Sequence, residues 1–168
     1  MKHLLTIAEI KHIGVDGRII WQDRDLPNTF HTDGEEFFLM AIFTGETIPD
    51  DFYFGLDKRT SIAAADNLAS LLDEPENGFN GYSRQAVASS GQFVMGSSGG
   101  HAVANSPIIH FSASGGSWGP VRNLFLSTTR QSDYTGYLLA SVPLSQTVTL
   151  ADGESISVRM GLTLKNYP

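Results

Sequence analysis

The chain contains no cysteine, so neither a disulfide nor a thiolate-ligated zinc can be part of it. It has no run of about 18 apolar residues, so no stretch reads as a membrane-crossing helix. The N-terminus, Met1-Lys2-His3-Leu4-Leu5, leads into no long apolar segment and no small-residue cleavage site, and no secretory signal is expected. Charge is sparse: charged residues make up 17%, and 11 Lys and Arg face 18 Asp and Glu. The formal net charge of −7, with the basic residues scattered, argues against a nucleic-acid surface. Neither nucleic acid nor membrane is expected as a partner.

Catalytic motifs are also missing. The histidines are His3, His12, His31, His101 and His110, and no two have the tight spacing of metal ligands. His110 alternates with Ile108 and Ser112 and reads as a half-exposed strand residue. Gly96-Ser97-Ser98-Gly99-Gly100 reads as a flexible loop and not as the strained turn of a serine nucleophile. No phosphate-binding glycine loop with a following Lys-Ser/Thr occurs. Carboxylates cluster at Glu46, Asp50 and Asp51 and at Asp73, Glu74 and Glu76; we read both runs as solvated faces, with a glycosidase pair as the alternative. No catalytic, cofactor-binding or metal-ligating residue is assigned, and no enzyme activity or cofactor is expected.

What is present points to strands. The 168 residues are 41% hydrophobic, enough for one core, and 17 glycines and 7 prolines punctuate short apolar runs. A first strand is expected within residues 4–13, then a turn at Val15-Asp16-Gly17-Arg18 and a hairpin partner from Ile19. Residues 26–30 read as irregular. Residues 36–43, apolar on both parities, read as a strand buried on both faces. Further strands are expected at 52–56, 82–87, 92–95, 107–113, 121–128, 137–142 and 147–150. The clearest pattern comes last: Ile156, Val158, Met160, Leu162 and Leu164 alternate with mostly polar residues, so the even positions should face a core.

One helix is expected over residues 60–72, with Ile62, Ala65, Leu68, Ala69 and Leu72 on one face and Glu74-Pro75 ending it. An ordered turn follows through Asn77-Gly78-Phe79-Asn80-Gly81. Arg84 follows Tyr82 by two, so it is expected either to lie over that ring on one side of a strand or to pair with Glu74 or Glu76. Trp118 reads as an anchor burying one end of a sandwich, with a sugar-stacking platform as the alternative. Asp33-Gly34-Glu35 and Asp152-Gly153-Glu154 read as two hairpin turns, with a calcium site as the alternative. The fold class implied is all-β: a jelly-roll-like β-sandwich with one short helix in a crossover.

Several segments in fixed order carry a resemblance. They are Phe52-Tyr53-Phe54-Gly55-Leu56, then Leu68-Ala69-Ser70-Leu71, then Asn77-Gly78-Phe79-Asn80-Gly81-Tyr82-Ser83-Arg84-Gln85, then Gly116-Ser117-Trp118-Gly119-Pro120-Val121, then the final alternating strand. Together, over about residues 33–164, they resemble a group of small virion proteins of tailed bacteriophages. The resemblance implies a non-enzymatic structural role, most directly as a capsid cement or decoration protein. The major capsid protein or other virion proteins would be the partners. It also implies location in the virion, assembled in the host cytoplasm, and a homo-oligomer, as a dimer or trimer. A tail or baseplate component and a carbohydrate-binding adsorption module presenting Trp118 and Tyr134 are the alternatives. The first residues lie outside the resemblance. Residues 1–31 are therefore expected to form a strand-rich arm or hairpin that serves assembly, and residues 32–168 a sandwich that folds without it.

Overall fold

The computed structural model describes residues 6–98, 100–131 and 133–163. Among them are eleven strands and one α-helix, arranged as two antiparallel sheets packed face to face. The strands are β1 (Thr6–Ile13), β2 (Ile19–Pro27), β3 (Thr29–Phe30), β4 (Asp51–Asp57), β5 (Gln85–Ala88), β6 (Val94–Ser98), β7 (His101–Asn105), β8 (Ile109–Ser112), β9 (Trp118–Ser127), β10 (Leu138–Leu150) and β11 (Ser155–Leu162). The helix α1 (Thr32–Phe43) lies between β3 and β4. One sheet has the order β2-β1-β11-β7-β6, with β8 also paired to β11; the other has the order β3-β10-β9-β4-β5. Helix α1 joins β3 at one edge of this second sheet to β4 beyond its centre, so it is the crossover connection. The fold is thus an all-β sandwich with a single helix in a crossover.

The alternation in β11 does what its period dictates. Ile156, Val158 and Met160 are buried and face the second sheet, while Arg159 is exposed. Leu162 is half-buried, and Leu164 lies outside the described residues. Opposite them, Leu124, Leu126, Ala140 and Val142 line the facing sheet. The core is therefore built from the inward positions of both sheets, as a sandwich requires.

Strand β9 is buried on both faces, and its outer face needs a second cover. Residues 58–73 provide it. This segment closes at its neck, where the Lys58 N–H donates to the Asp73 carbonyl (3.1 Å). It lays Ile62, Leu68 and Leu71 on Phe125 and Leu138. The helix expected over residues 60–72 is absent, and only a short 3-10 turn forms at Leu68–Ser70. Local side chains explain this. Asp66 accepts the Ala63 N–H (2.8 Å), and Asn67 accepts the Ser70 N–H (3.1 Å). Such short polar side chains offer the backbone an alternative to helical bonding. Leu71, not Leu72, points inward.

The helix forms instead where residues 36–43 read as a strand. Its first turn carries Asp33 and Glu35, which suit the positive end of the helix dipole. Glu, Leu, Met and Ala in its body are good helix formers. Gly34 seats it: a Cβ there would come within 2.5 Å of the Leu139 carbonyl oxygen, so only glycine allows this approach to β10. Asp33-Gly34 is therefore part of a helix start and not a hairpin turn. Asp152-Gly153 does turn the chain, from β10 into β11, with Gly153 at φ +84°. Two smaller corrections follow. Gly96-Ser97-Ser98 belongs to β6, and the two strands expected at 137–142 and 147–150 are one strand, β10, irregular between Pro143 and Val148.

The structure does not divide at residue 31. Strand β1 runs between β2 and β11, and Ile10 is fully buried in the main core. The hairpin turn between β1 and β2 falls at Gly17, as expected. From β2, Trp21 Nε1 donates to Ser145 Oγ (3.2 Å) and Asp23 accepts the Ser145 N–H (3.1 Å), which ties the first sheet to the irregular part of β10. Of the two forms expected for residues 1–31 the hairpin is the one present, and it is part of the shared core and not a separable arm; residues 1–5 lie outside the described residues. A chain beginning at Thr32 would leave the long edge of β11 unpaired and open the core at Ile10. Such a chain is expected to lose its cooperative melt, as read by near-ultraviolet circular dichroism and gel filtration. A native-like, monomeric fragment would contradict the shared core.

Candidate docking surface

The polar residues singled out in the sequence converge in the interior. Arg84 precedes β5, and its side chain is fully buried. Its Nε and Nη2 donate to the Glu74 carboxylate at 2.9–3.1 Å. Its Nη1 donates to the carbonyl of Thr129 (2.9 Å). The guanidinium also lies over the rings of Phe125 (5.0 Å) and Tyr134 (5.8 Å). Arg84 is thus paired with Glu74 as expected, while the rings beneath it are Phe125 and Tyr134 and not its strand neighbour Tyr82. Tyr82 completes the knot. Its hydroxyl donates to Glu74 (2.9 Å) and accepts the Leu56 N–H (2.8 Å), and its ring stacks near Phe111 and meets Trp118 edge-on.

Glu74 is the correction in this cluster. It does not belong to a solvated acidic face: its side chain is 3% exposed. Burial pushes its carboxyl up, against the pull of Arg84 and Tyr82. Burial likewise pushes the Tyr82 phenol well up. The turn between these residues is ordered, with Gly78 and Gly81 at positive φ and the Asn80 side chain donating to the Ser117 carbonyl (2.7 Å). These groups are saturated by one another and hold loops in place.

The remaining candidates are dispersed. Trp118 is 3% exposed, with Nε1 donating to the Ser112 carbonyl (3.5 Å), so it anchors the core and offers no face to a sugar. Tyr134 is partly exposed, and its ring already faces Arg84. The carboxylates of the two Asp-Gly segments serve the backbone: Asp33 accepts the Leu138 N–H (2.6 Å), Asp152 the Gly115 N–H (2.8 Å) and Glu154 the Ala151 N–H (2.9 Å). Glu154 also meets His12 (3.0 Å). Asp50, Asp51 and Asp133 line an open polar groove with Arg130. There the Thr135 hydroxyl and amide hold Asp133 below the usual carboxylate range. Among the described residues, no three of His, Asp and Glu converge as metal ligands would. His101 and His110 are exposed on the sheet, and His3 lies outside the described residues.

The surface that stands out is apolar. Helix α1 turns Phe37 inward and packs Phe38 against the core, but its other side carries Leu39 (58% exposed), Ile42 (67%) and Phe43 (77%). These three sit at i, i+3 and i+4, one patch at the helix end. The chain then folds back, with the Glu46 N–H donating to the Met40 carbonyl (3.2 Å), and Ile48 adds a further exposed side chain (57%). The rim is acidic. Glu35 and Glu36 lie one turn back on the helix, and α1 has no basic residue in its last turn. Partial burial, then the carboxylates of Glu46, Glu36 and Asp33, raise the neighbouring Tyr137 phenol above its ordinary value. The sequence held a signal for this patch: seven consecutive apolar residues, 37–43, give a helix more apolar surface than one side can bury.

No family model matches the chain, and no curated protein matches it.

Two outcomes test the interior. Arg84→Ala leaves the Glu74 carboxylate buried without its partner and is expected to cost about 3–5 kcal/mol of unfolding free energy, read from urea denaturation. A loss below 1 kcal/mol would show that the pair is not the anchor described. The second concerns His31, fully buried, with Nε2 2.8 Å from Ser141 Oγ. Burial holds its imidazole below the ordinary value, although the carbonyls of Ala64 and Ala63 and the carboxylates of Asp66 and Asp33 pull the other way. Unfolded, the ring titrates near 6.5. Below that pH the unfolded chain binds the extra proton, so stability falls as pH drops toward the lower folded value. Asp57 and Glu74, both raised by burial, act in the opposite sense at carboxylate pH. The slope of unfolding free energy against pH, just below about 6.5, should be steeper in the wild type than in His31→Gln. Equal slopes would exclude a buried, neutral His31.

Proposed function

We propose that the chain is a non-enzymatic structural protein of a tailed-bacteriophage particle, a capsid cement or decoration protein that acts through its surface. The observation that carries this reading is the apolar end of α1: Leu39, Ile42 and Phe43 exposed on one side of the helix, with Ile48 exposed a few residues further on. Contiguous exposed apolar surface on a small domain marks a site of association. Its acidic rim selects the partner's chemistry: an apolar depression bordered by Lys or Arg, presented by the major capsid protein or another virion protein. Two copies of the same patch would set like charges against each other, so a dimer or trimer of this chain forms through another face. The β2 and β6 edges of the first sheet pair with no further strand among the described residues and could serve for that, with Ile19, Ile20, Val94 and Met95 exposed along them.

The internal knot fits the same reading, since its charged groups are spent on fixing loops. Mass spectrometry of purified particles is the first check, and the protein must be present there. The Ile42→Lys/Phe43→Lys variant should melt close to the wild type, because both side chains are already exposed. It should also fail to bind particles that lack the protein. A variant that decorates particles as well as the wild type would remove the α1 surface from this role.

A further inference from the structure

A second apolar feature lies between the sheets. At one end of the sandwich, the two sheets do not close on each other and leave a half-enclosed pocket of about 230 Å³. Leu126 and Leu139, both 2% exposed, lie at its floor. Phe30, Phe38, Phe52 and Phe93 are half-buried and form its walls. Phe93 comes from the short connection between β5 and β6, crosses from one sheet to the other, and meets Phe52 edge-on at 6.2 Å. Among the described residues, the one polar side chain in the lining is Ser89.

Protein interiors are packed to the density of organic crystals, and voids larger than a water molecule are few. A pocket of this size leaves the side chains that line it with fewer packing contacts on the side that faces it. Water is a poor substitute: it needs two to four polar partners, and this lining offers a single hydroxyl. Cavities of about 150 Å³ lined by Leu, Ile and Phe in other proteins stay dry and admit benzene or xenon. This pocket is larger and half open. Charge narrows the guest further. An ionised head group seated in the pocket would exchange its hydration for a lining that is almost wholly apolar.

We propose that this pocket binds a small neutral apolar molecule, a single aromatic ring or a short alkyl chain. The site is separate from the exposed end of α1 and does not depend on the role given to that surface. Toluene, 1-hexanol and hexanoate are the probes, each titrated against the full chain while the melting temperature is followed. Toluene and 1-hexanol should raise it along a saturating curve, as expected for a ligand that binds only the folded state. Hexanoate, of the same length but charged, should raise it less. Ala104→Leu, which extends a side chain into the pocket, should abolish the shifts. Because that variant could fail to fold, the wild type carries an independent readout. Nuclear Overhauser effects from toluene protons to the methyl groups of Leu126 and Leu139 place the guest directly. Saturable shifts with those contacts support the proposal. Shifts without contacts to these two leucines, equal shifts with hexanoate, or no shift at all would overturn it.

Discussion

The ion pair between Glu74 and Arg84 holds together parts of the chain that share no strand. Glu74 ends the segment that covers β9, Arg84 leads into β5, and the guanidinium binds the carbonyl of Thr129 just beyond β9. Gln131 extends the same net, accepting the Arg84 N–H (3.1 Å) and donating to the Pro75 carbonyl (2.8 Å). Buried charges are tolerable only when paired and hydrogen-bonded, and here each donor or acceptor of the pair meets a partner. An apolar replacement of similar volume could pack as tightly, but it could not hold two loop carbonyls in fixed positions. The pair thus fixes the relation of loop to sheet, which hydrophobic contact alone, being non-directional, leaves open.

How much of this could be read from the sequence depended on whether the deciding interaction was local. The period of Ile156, Val158 and Met160 is a local property, and it gave both the strand and the buried face. The Gly17 turn, the strand at Phe52–Leu56 and the burial of Trp118 were legible in the same way. The helix was not. Residues 62–71 have helical composition and spacing, yet Asp66 and Asn67 divert the backbone over a few residues. Residues 36–43 are apolar on every side and carry no period at all. What makes them helical is distant: Gly34 against Leu139, and Asp33 on the amide of Leu138. The Arg84–Glu74 pairing was one of the roles weighed from the sequence. The burial of Glu74 was not, because its neighbours Asp73 and Glu76 point to water while it alone turns inward.

The two surfaces of interest share one cause. Helix α1 crosses over the second sheet near its edge. From that position it can turn Phe37 into the core and line the end of the sandwich with Phe38, but it has nothing above it to cover Leu39, Ile42 and Phe43. A helix that has to cross a sheet, and is apolar on all sides, leaves one stripe exposed and one crevice beneath. The acidic residues at its start keep that stripe soluble and set what it can approach.

The pairing of β1 with β11 also governs how the chain can be made. These strands are the first and last of the described chain, and each lies inside the same sheet. During synthesis β1 emerges early, with β2 as its one available neighbour. Its other edge stays open until β11, the last of the described strands, has left the ribosome. Contacts so distant in sequence close slowly, and an unpaired strand edge invites the wrong partner in the meantime. The exposed charges of β2, Arg24 and Asp25, lie on the hairpin during that interval and discourage pairing between nascent chains. The sheet that looks most continuous in the finished protein is therefore the one completed last.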